Sequence, residues 1–235
     1  MEKVLKKRDE VLGFLANKMG GFYLAGGTAL SAFYFNHRES YDLDFFTKEF
    51  MRTRIAKIVK DISEKLRSEI EMIGEQNQKD KDRIVMYSVP VDKKNSLKID
   101  FVEDIFPLLK SLRLVDGIYV LSKEDIYFRK ILTACGSFEI LDDTGKRQFK
   151  GGRQEPKDFF DLYFLSKTFI PLSKFASQYC NDSQKESIII WYRAYDRFTM
   201  KSGLCDIKTD KKINYKDIEK HFMSEIGKMI EEEIR

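Results

Sequence analysis

The chain has 235 residues, 43% hydrophobic and 13% aromatic, which is enough apolar material for a buried core and too much for a disordered segment. A formal net charge of +4 and a sequence pI near 8.7 mark it as mildly basic, which permits nucleic-acid contact without demanding it. Cys135, Cys180 and Cys205 have no CxxC or Cys/His spacing, pointing to reduced, buried thiols in a cytoplasm rather than to disulfides or a zinc site. Charges interrupt the first fifteen residues, so no secretory segment is read there. No apolar run approaches the roughly 18 residues of a membrane span.

In chain order, residues 2–19 place Val4, Leu5, Val11, Leu12, Leu15 and Met19 near one helical face, and Gly20 and Gly21 close that helix. Phe22 to Ala25 is a short buried strand bounded by glycine. Thr28 to Asn36 reads as a helix. From Tyr41 to Phe46 the alternation changes to period two, so a strand carries Asp42 and Asp44 on one face, with Leu43 and Phe45 on the other. Residues 51–70 repeat Ile55, Ile58, Val59, Ile62, Leu66 and Ile70 at 3 and 4 spacing, an amphipathic helix. Gly74 to Asp82 is polar and turn-like.

Ile84 to Val89 and Leu97 to Val102 then read as a strand hairpin, the second strand carrying Asp100. Ile118 to Leu121 is a further strand. Ser122 and Asp125 form a capping-box-like start for a helix to about Cys135. Gly136 to Pro156 reads as a long glycine-rich loop or insertion. Helices follow from Pro156, near 172–180, over 184–200 and over 215–234, the last with Ile218, Phe222, Ile226, Ile230 and Ile234 in register. The chain therefore divides into an α/β half, residues 1–121, and a helical half, residues 122–235.

The chemistry concentrates between Phe22 and Phe46. Aspartates two apart on a strand lie about 7 Å apart along it and repel unless a cation intervenes, and Mg²⁺ takes carboxylate, water and phosphate oxygens. A lone DxD can equally be a solvated edge. Gly26 and Gly27, between a strand and a helix, let backbone approach a phosphate at a helix N-terminus, and Thr28 adds a hydroxyl. Asp100 is either the outward side of its own strand or, if that strand lies beside Tyr41–Phe46, the third carboxylate of a two-cation nest.

The stretch AGGTALSAFYFNHRESYDLDFF, residues 25–46, resembles the first motif of the nucleotidyl transferase AbiEii/AbiGii toxin family, of the DNA polymerase beta type nucleotidyltransferase superfamily. EDIYFRKILTA resembles the family's helix with a functional lysine, which maps onto Lys130. KDFFDLYFL resembles its closing motif, which maps onto Asp158 and Asp161, with Lys157 standing where arginine is usual. The resemblance covers about residues 20–165. It implies an α+β nucleotidyltransferase core with a small mixed sheet flanked by helices, and a C-terminal helical subdomain completing the active-site cleft.

It further implies transfer of a nucleotide from an NTP with two Mg²⁺ (or Mn²⁺) ions. In characterised relatives the acceptor is tRNA, and the enzymes are toxins paired with antitoxin proteins. On that basis Asp42, Asp44 and Asp100 are expected to hold the cations. Gly26, Gly27 and Thr28 would hold the β- and γ-phosphates. Arg38 and Ser40 either contact the triphosphate or form a local structural pair. Lys130 and Asp158 either serve the triphosphate or form a helix–helix salt bridge. Arg193, Arg197 and Lys201, four apart on one helix, are a candidate RNA face or a solvated one. The rival readings are a catalytically silent NTP-sensing module and a transferase acting on a protein or small molecule.

Overall fold

The computed structural model describes residues 1–77, 82–136, 138–141, 143–145, 147–150, 152–153, 155–212 and 214–234. By its internal contacts the chain forms two units, Met1–Asp125 and Ile126–Arg235. Among the described residues, no helix is long and apolar enough to cross a membrane.

The first unit is built on a mixed seven-stranded sheet of order β3-β4-β5-β2-β1-β7-β6. Its strands are β1 (Phe22–Ala25), β2 (Leu43–Thr47), β3 (Glu71–Gln76), β4 (Ile84–Pro90), β5 (Ser96–Glu103), β6 (Arg113–Val115) and β7 (Ile118–Val120). The middle of the sheet is β5-β2-β1: β1 runs antiparallel to β2, and β2 runs parallel to β5. On β2 and β5 the pleat sends Leu43, Phe45, Leu97, Ile99 and Phe101 into the core. Phe101 meets Phe45 at 5.9 Å and Phe22 edge-on at 5.6 Å between ring centroids. Such pairs contribute about 0.5–1.5 kcal/mol beyond the area they bury.

Helix α1 (Glu2–Leu15) and helix α3 (Arg52–Leu66) supply further core residues, among them Val11, Leu15, Ile55 and Ile62. The first helix stops earlier than the apolar spacing suggests. Ala16 turns extended, Asn17 adopts φ +63°, and Met19 is buried from outside the helix. Arg67, left-handed at φ +50°, ends α3 before Ile70. β3 occupies part of a stretch read as polar turn; of Gly74 to Asp82, residues 78–81 lie outside the described residues. Its strand EMIGEQ is largely exposed at a sheet edge, so it lacks the alternation that marks a half-buried strand.

Helix α4 (Lys123–Cys135) opens on the reciprocal cap its sequence suggests: Asp125 N–H donates to Ser122 Oγ at 3.0 Å, and the Ser122 hydroxyl donates to Asp125 Oδ2 at 2.6 Å. In the second unit, Gly136 to Pro156 is not a structureless loop. It contains an antiparallel pair, β8 (Phe138–Leu141) and β9 (Arg147–Lys150), turned through Gly145 at φ +77°. Helices α5 (Pro156–Thr168), α6 (Leu172–Tyr179), α7 (Asp182–Ala194), α8 (Arg197–Gly203) and α9 (Tyr215–Ile234) follow. Phe159 of α5 lies 5.9 Å from Trp191 of α7 and 5.0 Å from Phe222 of α9, which ties three helices into one core.

The expected single helix over 184–200 is two helices. Tyr195 is extended, and the Asp196 carboxylate caps α8 by accepting from Phe198 N–H at 2.9 Å and Thr199 N–H at 3.1 Å. Arg193, Arg197 and Lys201 therefore do not form a stripe on one helix. Arg197 instead pairs with Glu219 at 3.1 Å and lies 4.7 Å from the Tyr195 ring centroid.

Candidate active site

β1 ends in an extended Ala25, and the chain then turns through Gly26 at φ +68° into a short helix, α2 (Gly26–Leu30), which continues as a π-helical turn to Phe35. A left-handed φ favours glycine, and the space around Gly26 requires it. A Cβ there would overlap Asp44 Oδ2 and stand 2.9 Å from Asp44 Cγ. Ala25 is the register partner of Asp44 across β1 and β2, which is why the turn runs directly against that carboxylate. At Gly27 a Cβ would overlap the Arg38 guanidinium and lie 3.1 Å from Ser40 Oγ. The two glycines thus bring bare backbone against a carboxylate on one side and a guanidinium on the other.

Thr28, fully buried, donates from its hydroxyl to the Asp42 carbonyl and shares a 3.0 Å hydrogen bond with the Ser40 hydroxyl. It fastens the helix start to the segment entering β2. Arg38, also buried, donates from Nη1 to Glu39 O at 2.9 Å. Arg8 of α1 donates to Ser40 O at 2.5 Å, a support that lies outside the motif and is invisible in its spacing. All five of Gly26, Gly27, Thr28, Arg38 and Ser40 therefore belong to one knot of contacts.

β2 begins at Leu43, so Asp42 stands immediately before the strand rather than on it. Asp44 and Asp100 are direct register partners on the parallel pair β2 and β5. Neighbouring strands lie about 4.8 Å apart and partners point to the same side, so two carboxylates are brought together on the face opposite Phe45 and Phe101. The strand that carries Asp100 lies between β4 and β2, so of the two arrangements open to Asp100 it takes the one beside the Asp44 strand. One cation on this face was not anticipated. Lys98 Nζ forms an ion pair with Asp100 Oδ2 at 2.7 Å. Its signal was present as period-two spacing within LKIDF, which puts Lys98 and Asp100 on the same face.

As the side chains lie, no group of three His, Cys, Asp or Glu among the described residues stands close enough to hold a metal ion. The donor types nevertheless suit Mg²⁺ or Mn²⁺, which take hard carboxylate oxygens. The bare backbone of Gly26 lets the Asp44 carboxylate pack directly against the turn, in a position that a side chain would overlap. Asp42, Asp44 and Asp100 are the residues that would hold such ions.

In the second unit, Lys130 of α4 is buried and bridges two aspartates of α5. Its Nζ lies 2.6 Å from Asp158 Oδ1 and 2.7 Å from Asp161 Oδ2, and both carboxylates are fully buried. Arg153, from the segment ahead of α5, adds Nε to Asp158 Oδ2 at 2.6 Å and Nη2 to Asp158 Oδ1 at 3.3 Å. Burial pushes the Asp158 carboxyl up, but Lys130 and Arg153 outweigh that and hold it below the usual carboxylate range. Asp161 is thus an equal partner of Lys130. A phosphate reaching Lys130 would compete with two buried carboxylates.

The mixed sheet, the glycine turn and the acidic strand pair define a nucleotidyltransferase fold, and solved structures share it. The chain is similar to JHP933 from Helicobacter pylori, with TM-score 0.57 and 17% identity over 99% of this chain and 96% of that one. It is also similar to a protein named as a nucleotidyltransferase of H. pylori, with TM-score 0.60 and 16% identity over 98% of each chain. No curated protein matches the chain. The family is shown by the sequence itself: residues 14–233 match the nucleotidyl transferase AbiEii toxin family of type IV toxin–antitoxin systems, and the chain belongs to that family.

Proposed function

We propose that the chain transfers a nucleotide from an NTP to an RNA acceptor, tRNA being the leading candidate, and acts as the toxin of a toxin–antitoxin pair. The observation that carries this reading is the pairing of Asp44 with Asp100 directly beside the Gly26 turn. Backbone N–H groups at the start of α2 and the Arg38 guanidinium are suited to the triphosphate, because uncovered donors and positive charge stabilise phosphate oxygens. Divalent cations held by Asp42, Asp44 and Asp100 would supply charge neutralisation at the reacting phosphate.

The chain's own residues do the rest by position. Thr28 fixes the turn against Asp42 and Ser40, so the phosphate-binding backbone does not drift from the carboxylates. Asp100 would help an incoming acceptor hydroxyl lose its proton. That oxygen bonds to the α-phosphorus while the bond to pyrophosphate breaks, and no covalent protein intermediate is required. Lys130 and Asp158 serve the second unit as a buried ion pair between two helices, in keeping with the helix–helix salt bridge that was the alternative to a triphosphate role. An antitoxin protein is the partner that family membership suggests.

The test is incubation of the protein with Mg²⁺, total RNA and each labelled NTP in turn. Label entering RNA from at least one NTP is the expected result. Label bound without transfer favours the sensing module, and label on protein or a small molecule favours the other acceptor class.

A further inference from the structure

The acidic face of β2 and β5 contains its own cation. Lys98 lies two residues before Asp100 on β5, so both side chains leave the same face of the strand, and they are joined at 2.7 Å. Leu43 is the register partner of Ile99; Asp42 immediately precedes the one and Lys98 the other. The lysine therefore enters the site at the level of Asp42, one step from the Asp44–Asp100 pair. Asp44 and Asp100, set side by side by the strand register, repel one another, and a partly buried pair is poorly screened by solvent.

We propose that Lys98 is the site's internal counter-cation: its ammonium holds Asp100 while no metal is bound, and a divalent ion enters by displacing it. Lys98 is then a positioning residue that sets metal affinity, a refinement that rests on the metal-dependent reading above. Two features fit displacement rather than a permanent bridge. The Lys98 side chain is 38% exposed against 13% for Asp100, so the ammonium can leave for water while the carboxylate stays. A lysine is a flexible point charge with rotatable donors, unlike an arginine locked in a two-pronged pair.

Isothermal titration of the full chain with Mn²⁺, comparing wild type, Lys98→Met and Lys98→Arg, tests this. Lys98→Met should bind Mn²⁺ roughly tenfold more tightly, because a competing positive charge is gone, while Lys98→Arg, which keeps the charge and can grip Asp100 with two prongs, should bind no more tightly than wild type. In thermal melts Lys98→Met should start lower than wild type without metal and gain more on adding Mn²⁺. Unchanged or weaker Mn²⁺ binding by Lys98→Met, with wild type binding normally, overturns the role of Lys98 and leaves the metal-dependent reading standing. Absence of Mn²⁺ binding in all three proteins, alone and with NTP, overturns both. Binding by Lys98→Met alone supports the proposal in its strongest form.

Discussion

Gly26 is the residue on which local geometry and chemistry converge most tightly. Its φ of +68° and the overlap that any Cβ would make with Asp44 Oδ2 are separate obstacles to a side chain. A left-handed residue other than glycine costs roughly 1–2 kcal/mol, and displacing the Asp44 carboxylate adds to that. Gly26→Ala should therefore lower the melting temperature and reduce nucleotide transfer at least tenfold; transfer at the wild-type rate would show that the turn does not need to approach Asp44. This part of the site was legible in the sequence because it is local: two glycines, a hydroxyl and a period-two acidic pair fall within 19 residues, Gly26 to Asp44. Arg8 and Lys98 were not singled out, since an arginine on an amphipathic helix and a lysine in an alternating strand both read as solvated charges.

Among the elements, α4 and α5 are joined by the charge group of Lys130, Asp158 and Asp161. Removing one partner from a buried ion pair leaves uncompensated charge and costs about 3–5 kcal/mol. Lys130→Met should destabilise the chain by that order in urea titrations, and a loss below about 1 kcal/mol would mean the group is solvated. The same group sets an acid limit. Asp158 is held below the usual carboxylate range in the folded chain, so its contribution is present above the unfolded value of about 3.9 and is lost as pH falls below it towards the folded value. Asp158→Asn should flatten that acid loss of stability. Element type was readable wherever an apolar repeat ran long, as in α3 and α9. The elements that were missed lack such a repeat: β8 and β9 are four residues each, and the α7–α8 break rests on the Asp196 cap without glycine or proline to announce it.

For the molecule as a whole, the family match over residues 14–233 spans both units, so the helical half belongs to the family as much as the sheet does. What local sequence could not supply was sheet order. Asp44 and Asp100 are 56 residues apart, and only the pairing of β2 with β5 makes their strands neighbours. The central claim is that this face, with Asp44 at its middle, carries a metal-dependent transfer reaction. The most direct test is Asp44→Asn in the labelled-NTP assay, with circular dichroism and thermal melting on the same preparation. An intact fold and a loss of transfer of roughly a thousandfold are expected, the order seen when a main electrostatic contact to a transition state is removed. Transfer at the wild-type rate by a folded Asp44→Asn protein would contradict it.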